Sequence, residues 1–385
     1  DVELYFHNLN LPIEGTSGND TLYGTDFDDT IKALDGDDQV WASLGDDVID
    51  GGGGRDTLRL NDSSSGVQVD LEQGLASGDG IGNNQISNFE RVRGSDFDDI
   101  LRGSDTGDNW ESFSGNGGDD IIDGRGGNDY VWYGRSVAPI NVDLSAGVVT
   151  GGEGTDQLHS IEGVSGSNYA DVLVGSDGDD LFHPDVFSGD DELPNFRVGG
   201  ADFIDGGAGV DTVSYFNTQG GDGFVPEGID ANLSLGTVTD AAGNVDTLSN
   251  IENINGSRYD DLITGDEFSN QLKGNDGDDF LVGGAGNDTL DGGVGDDTLD
   301  GGAGSDTFNY TKGDGNDIIL GFEEGVDEIR FFDFTDAEQD QFLSEITPEG
   351  HTLMTLSDGS TILKKAVASS SAFTISKLSQ SGDTV

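Results

Sequence analysis

From Gly274 the chain reads GNDGDDFLV, GGAGNDTLD, GGVGDDTLD, GGAGSDTFN, four nine-residue units in register. Leu272, Leu281, Leu290, Leu299 and Phe308 fall nine apart, with Asp279, Asp288, Asp297 and Asp306 in step. A period of nine matches neither a helix nor the alternation of a long strand. Glycines at the first and fourth places, among them Gly283, Gly286, Gly292, Gly295, Gly301 and Gly304, permit positive φ and a tight turn that exposes its carbonyls. The sixth-place aspartate points a carboxylate into that turn. The triplet that follows is a short strand whose single large apolar residue faces inward. Two units therefore make one coil of an all-β, right-handed parallel β-roll or β-solenoid, and residues 18 apart stack: Asp279 on Asp297, Asp288 on Asp306.

Carboxylates stacked about 5 Å apart repel one another unless a cation lies between them. Carboxylate and carbonyl oxygens, with no cysteine in the chain, suit a hard ion with six to eight oxygen ligands, which points to Ca²⁺. On these repeats the chain resembles the RTX, or haemolysin-type calcium-binding, family over most of residues 15 to 320. The resemblance implies a calcium-binding β-roll of about a dozen ions. It also implies the C-terminal region of an extracellular protein exported by type I secretion machinery.

The acids decide what else the chain can meet. With 77 acidic against 16 basic residues, a net charge of -61, 33% hydrophobic residues and 64 glycines, the composition alone is that of a disordered chain. The regular Leu, Ile and Val positions argue instead for order that depends on a counterion. No basic patch exists to neutralise phosphate, so nucleic acid and anionic membranes are not expected as partners. No apolar run reaches the roughly 18 residues that span a bilayer. The first residues carry neither a basic n-region nor a starting Met, so a processed product or the C-terminal part of something longer is expected.

Taken in order, residues 1–14 read as a lead-in strand whose Leu4, Phe6 and Leu9 cover the first coil. A first roll, 15–60, carries Asp20, Asp29, Asp38, Asp47 and Asp56; a second, 94–134, carries Asp99, Asp108, Asp120 and Asp129. A third, 166–216, carries Asp171, Asp180, Asp202 and Asp211 around a loop at 184–198, the preferred place for a partner. A fourth, 256–317, carries Asp261, Asp279, Asp288, Asp297 and Asp306, with Asn270 in place of one aspartate. Between them lie three related spacers, 61–93, 135–165 and 217–255, expected to be calcium-free. Each opens on a segment such as GVQVDLEQGLASG, which reads as a strand with one buried face. Each continues into a segment with apolar residues every third place, such as Ile86-Phe89-Val92, which suggests another kind of coil. Residues 318–366 read as a small β-rich cap, with a Thr335–Glu338 capping box opening a helix on which Phe342 and Ile346 share a face, and strands flanking a turn at Asp358-Gly359. Residues 367–385 match a secretion signal in position.

Chemistry beyond metal binding is not visible. His7, His159, His183 and His351 are scattered, and no HExxH or GxSxG motif occurs. Trp110, Tyr130, Trp132, Tyr215 and Phe216 read as core or end cover in preference to a sugar-binding groove. The expected function is non-enzymatic: a secreted protein that folds on calcium outside the cell and serves as a structural, adhesive or surface-assembly component. Self-association or extracellular polysaccharide would supply its partners. The alternative is a non-catalytic accessory module of a larger secreted enzyme, one that modifies polysaccharide or cleaves protein.

Overall fold

The computed structural model describes residues 12–105, 110–152, 154–184, 199–216, 228–240, 242–348 and 350–365, and structural statements concern these residues. Their strands form two sheets, one of 14 strands and one of 23, and the chain alternates between them. In the narrower sheet every pairing is parallel, as in Leu272↔Leu290↔Phe308. The wider sheet pairs Leu281↔Leu299↔Ile319. The repeats thus stack 18 apart as a parallel β-roll. The strands of the fourth roll run on from the expected triplet into the turn glycines, as in Phe280–Ala285, and the second inward place is glycine. The core is therefore a double file: Ile263, Leu281 and Leu299 from one sheet face Leu272, Leu290 and Phe308 from the other, all buried.

The spacers add to one sheet only. The segment that reads as a single strand is a hairpin, Gln68–Asp70 with Leu75–Gly78, and a third strand, Gly82–Ser87, completes an antiparallel meander. The same meander recurs at 140–159 and 230–249. Each bends at a glycine in the left-handed region, Gly74 (φ 65°), Gly147 (φ 66°) or Gly236 (φ 63°), where a β-carbon is disfavoured. The third strand lies parallel to the coil before it (Ile49↔Ile86) and the first to the coil after it (Val69↔Leu101). The wide sheet is therefore never broken. In the narrow sheet Leu58 passes directly to Val92. The apolar residues every third place are accordingly one coil of the same roll with a shortened corner: Ile86 faces in from the wide sheet, Val92 from the narrow one, and Phe89 is buried at the corner between.

At the C-terminal end the Thr335–Glu338 capping box is present, but the helix it opens is only Asp336–Gln339 and buries none of its residues. A turn without an apolar face has no packing to extend it. Phe342 lies beyond it, 5.0 Å from Phe331 and 5.1 Å from Phe334 between ring centroids. Ile346 belongs to an exposed strand, Leu343–Ile346, so the two do not share a helix face. The Asp358-Gly359 turn joins Thr352–Thr355 to Thr361–Lys365. Leu4, Phe6, Leu9, Asp108, nearly all of the 184–198 loop and the 367–385 tail lie outside the described residues.

The double file predicts that Leu281→Ala, which empties a fully buried place, destabilises the calcium-loaded protein by about 2–5 kcal/mol. Val294→Ala on the exposed surface should change it by less than about 0.5 kcal/mol. Guanidinium unfolding in saturating calcium measures both.

Candidate metal centre

Between strands the backbone turns a corner, and a corner N–H has no partner in either sheet. Buried donors require one. The sixth-place aspartate supplies it: the N–H of Asp20 donates to Asp38 Oδ1 (2.7 Å), Asp261 to Asp279 (2.7 Å), Asp279 to Asp297 (2.8 Å) and Asp288 to Asp306 (3.0 Å). The fifth place reaches the other way. The N–H of Asp278 donates to Asp260 Oδ1 and that of Asp296 to Asp278 Oδ1, both at 2.9 Å. Each acidic doublet therefore ties its coil to the one before and the one after. The fifth-place Asp, Asn or Ser of GDDFL, GNDTL and GSDTF is the signal for this, and reading the sixth place alone overlooks it.

One carboxylate oxygen is thus used by the protein, except at Asp129, where neither accepts a hydrogen bond; the fate of the other divides the aspartates. In Asp38, Asp47, Asp56, Asp120, Asp129, Asp211, Asp279, Asp288 and Asp297, Oδ2 is buried and accepts no hydrogen bond. Around the point where a β-carbon of Gly283 would sit lie Asp288 Oδ2 and, at 2.6 Å, the Gly301 carbonyl oxygen; Asp279 Oδ2 and the Gly292 carbonyl (2.5 Å) enclose the same point at Gly274. Asp297 Oδ2 and Asp306 Oδ2 approach Gly292 and Gly301 in the same way. The carbonyls of Gly286 and Gly295 face the fourth-place Gly304 and Gly315 of the next coil. Where the first place of the turn is glycine, the corner is a cradle of carboxylate and carbonyl oxygen that a side chain there would fill; the corners of Asp38 and Asp47 have Ala33 and Ala42 at that place. Such a donor set fits a hard divalent cation. Among the described residues no three acidic or histidine side chains converge on one point, so carbonyls must complete the shell.

Without an ion these carboxyls keep their protons to a higher pH than free aspartate does. Burial, with like charges adding to it, pushes Asp279, Asp120 and Asp129 up to about 8, Asp297 to about 7, and Asp38, Asp56, Asp211 and Asp288 to about 6.

A second group is satisfied by the protein. At six turns with Ser or Thr in the second place, its amide and hydroxyl both bind the carboxylate: Ser95 on Asp99, Ser167 on Asp171, Ser257 on Asp261, Ser176 on Asp180, Thr16 on Asp20 and Thr25 on Asp29; Ser43 instead donates its hydroxyl to the Thr25 carbonyl and leaves Asp47 Oδ2 without a partner. Asn270 takes the Asp266 N–H and donates to the Glu252 carbonyl. Buried Asp202 accepts the Asp171 N–H at 2.7 Å. In the coil before that of Asp129, the residue in register with Asp129 is Glu111, which accepts from the amide and the hydroxyl of Ser104.

Along the wide sheet the meanders cut the row of acids, and each cut end is closed by protein donors. Asp156 takes the Asp120 N–H and the Tyr133 hydroxyl (2.8 Å); Asp246 takes the Asp202 N–H and the Tyr215 hydroxyl (2.7 Å). At the first meander Asn84 accepts from Asp47 and donates to the Ile81 carbonyl. Arg125 binds both oxygens of Asp70 and the Gly103 carbonyl, a resident guanidinium beside a turn. The last run continues through Asp317, which accepts the Asp297 N–H.

The remaining singled-out side chains pack in pairs. Trp110 and Tyr130 lie 6.2 Å apart and Tyr130 meets His183 at 5.6 Å, while Arg93 covers Trp132 and Arg258 covers Phe216. His159 and His183 stand on different strands of different sheets, and His351 on the C-terminal cap.

The family model for the RTX calcium-binding nonapeptide repeat matches residues 14–47, 23–58, 105–136, 164–186, 199–214 and 273–308. Among solved structures, the extracellular lipase LipA from Serratia marcescens is similar at 15% identity and a TM-score of 0.25, covering 73% of this chain and 38% of that one. The chain thus spans well under two thirds of that lipase. No curated protein matches it.

Two outcomes follow from the division of the aspartates. Asp297→Asn removes a charge whose second oxygen has no protein partner, and should weaken calcium binding at its corner at least about tenfold by titration calorimetry. Asp261→Asn, next to Ser257, should change it far less. The second concerns pH. The metal-free fold binds protons more tightly than the unfolded chain, since its carboxyl pKa values are raised, so protonation stabilises it fully below about pH 4. That stability is lost as pH rises through about 6 to 8. In EDTA the β signal in circular dichroism should therefore grow as pH falls from 8 to 5.

Proposed function

We propose, for a chain that carries RTX calcium-binding nonapeptide repeats, that calcium is its folding switch and that the switch acts after export. The chain is a calcium-binding parallel β-roll, and RTX repeat proteins are secreted. The observation that carries the reading is the buried Oδ2 without a partner, repeated at nine corners. A buried, unpaired carboxylate is costly. In a calcium-poor cytosol those carboxylates repel, the glycines favour the unfolded state, and the chain stays extended enough to pass through type I secretion machinery. Outside, each site adds about 1.5 to 2 kcal/mol when calcium exceeds its Kd ten- to thirtyfold. Nine or so such sites together match the net stability of an ordinary domain.

Once loaded, the protein is read as a non-catalytic structural or adhesive component of the cell surroundings, with about a dozen ions along the roll. Two features support this: the buried acids are engaged in turns and hydrogen bonds along the full described length, and the histidines stand on separate elements. The outer fifth-place acids leave a strongly anionic surface on which further divalent ions can bridge one molecule to another or to acidic polysaccharide.

In EDTA at neutral pH the chain should give mostly coil signal in circular dichroism. Millimolar Ca²⁺ should produce β signal and a sharp decrease in hydrodynamic radius. The same concentration of Mg²⁺ should not, because Mg²⁺ demands a smaller octahedral shell and sheds water reluctantly. A chelated sample that keeps its compact shape at pH 7.5 would sink the reading.

A further inference from the structure

Each spacer contributes one coil whose corner into the narrow sheet is cut to three residues: Asn88-Phe89-Glu90, Ser160-Ile161-Glu162 and Asn250-Ile251-Glu252. The glutamate stands where other coils have the sixth-place aspartate. The N–H of Asp56 donates to Glu90 Oε2, that of Asp129 to Glu162 Oε2 and that of Asp211 to Glu252 Oε2, each at 2.9 Å. The extra methylene lets a carboxylate reach the same N–H from a shorter corner.

The first residue of each short corner is strained. Asn88 (φ 56°), Ser160 (φ 50°) and Asn250 (φ 50°) are left-handed without being glycine, a conformation that disfavours a β-carbon. Two of them gain a side-chain bond there, Asn88 to Asp50 Oδ1 and Asn250 to Asp205 Oδ1. Serine has no such amide, yet Ser160 keeps the conformation. What all three share is the direction of the carbonyl. The oxygens of Asn88, Ser160 and Asn250 lie against the points where β-carbons of Gly51, Gly124 and Gly206 would sit, beside Oδ2 of Asp56, Asp129 and Asp211 respectively. These aspartates are at most 1% exposed, and their Oδ2 atoms accept no hydrogen bond. Gly301 and Asp288 enclose Gly283 in the same manner.

We propose that at three of the nine corners the spacer coil completes the cation site, Asp56 with the Asn88 carbonyl and Glu90, Asp129 with the Ser160 carbonyl and Glu162, and Asp211 with the Asn250 carbonyl and Glu252, each taking a hard divalent ion such as Ca²⁺. The spacers are then not calcium-free. On the narrow-sheet edge the row of ions runs through them, while on the other edge the meanders interrupt it. The proposal rests on calcium filling the ordinary corners.

The test uses the full chain and ⁴⁵Ca²⁺ equilibrium dialysis. The triple variant Glu90→Gln, Glu162→Gln, Glu252→Gln keeps an oxygen to accept each aspartate N–H and loses only the charge. It should bind three fewer ions at saturation, or hold three at least about tenfold more weakly. A control, Asp279→Asn, Asp288→Asn, Asp297→Asn, should lose ions from the fourth roll. Unchanged binding in the glutamate variant beside a loss in the control overturns the proposal and leaves the calcium reading standing. No binding by the parent chain overturns both. Should the glutamate variant fail to fold in calcium, anomalous difference density in crystals of the parent grown with Ca²⁺ decides: peaks between Asp56 Oδ2 and the Asn88 carbonyl and at the two equivalent corners support it, and water alone overturns it.

Discussion

A roll whose strands are three residues long in the first coils and at most six in the fourth roll has few sheet hydrogen bonds per coil, so its corners must hold neighbouring coils together. They do so with carboxylates. One oxygen of Asp297 binds the N–H of Asp279 in the preceding coil, and the fifth-place Asp278 binds the N–H of Asp296 in the following one. Because the same aspartate carries a second, buried oxygen, the bond that joins two coils also creates a demand for positive charge at the joint. Stacking and ion binding are one event, and in a nearest-neighbour array such an event propagates from coil to coil.

The spacers modify that propagation on one side only. A meander inserts two strands, one of them reversed, into the wide sheet, which separates the coil of Asp120 from the coil of Asp171 and leaves the narrow sheet passing straight from Val131 to Val164. On the interrupted side the last acid of the second and third runs takes the Tyr133 or Tyr215 hydroxyl, the first run ends on the neutral Asn84, which accepts the Asp47 N–H, and the first acid of each following run is bound by Ser95, Ser167 or Ser257. Protein donors satisfy these acids, while Asp47 Oδ2, like that of Asp120, Asp279 and Asp297, has none. The Arg125–Asp70 pair does the same with a resident cation, its guanidinium bridging the second spacer's neighbouring coil to the first spacer.

Much of this was legible because nine-residue periodicity leaves little freedom. With one inward residue per triplet, Leu272, Leu290 and Phe308 can face the core only if two units make a coil, and that fixes an 18-residue register. The fate of each second oxygen was less visible. It depends on whether the residue after the first glycine is Gly284, with nothing to donate, or Ser257, with a hydroxyl and an amide aimed at Asp261. The hairpin in each spacer was hidden because Val67 and Val69 alternate as a single strand would, and the turn at Gly74 brings Ala76 onto the same buried face. The short helix ended early because Phe342 packs with Phe331 and Phe334, a tertiary preference that its local sequence does not express.

The choice of carboxylate over an apolar corner explains why such a roll can be both exportable and rigid. An apolar corner would bury favourably in any compartment, and the chain would fold wherever it was made. A carboxylate that must give up water is unfavourable until a cation or a proton meets it. Asp279 and Asp297, buried and facing one another along the stack, oppose folding in the absence of calcium and favour it in its presence. The hydroxyl-capped acids such as Asp99 and Asp171 are raised by burial too, but protein donors meet both of their oxygens. Standing at the start of a run, they give the coils with unpartnered oxygens a better-satisfied coil on which to stack.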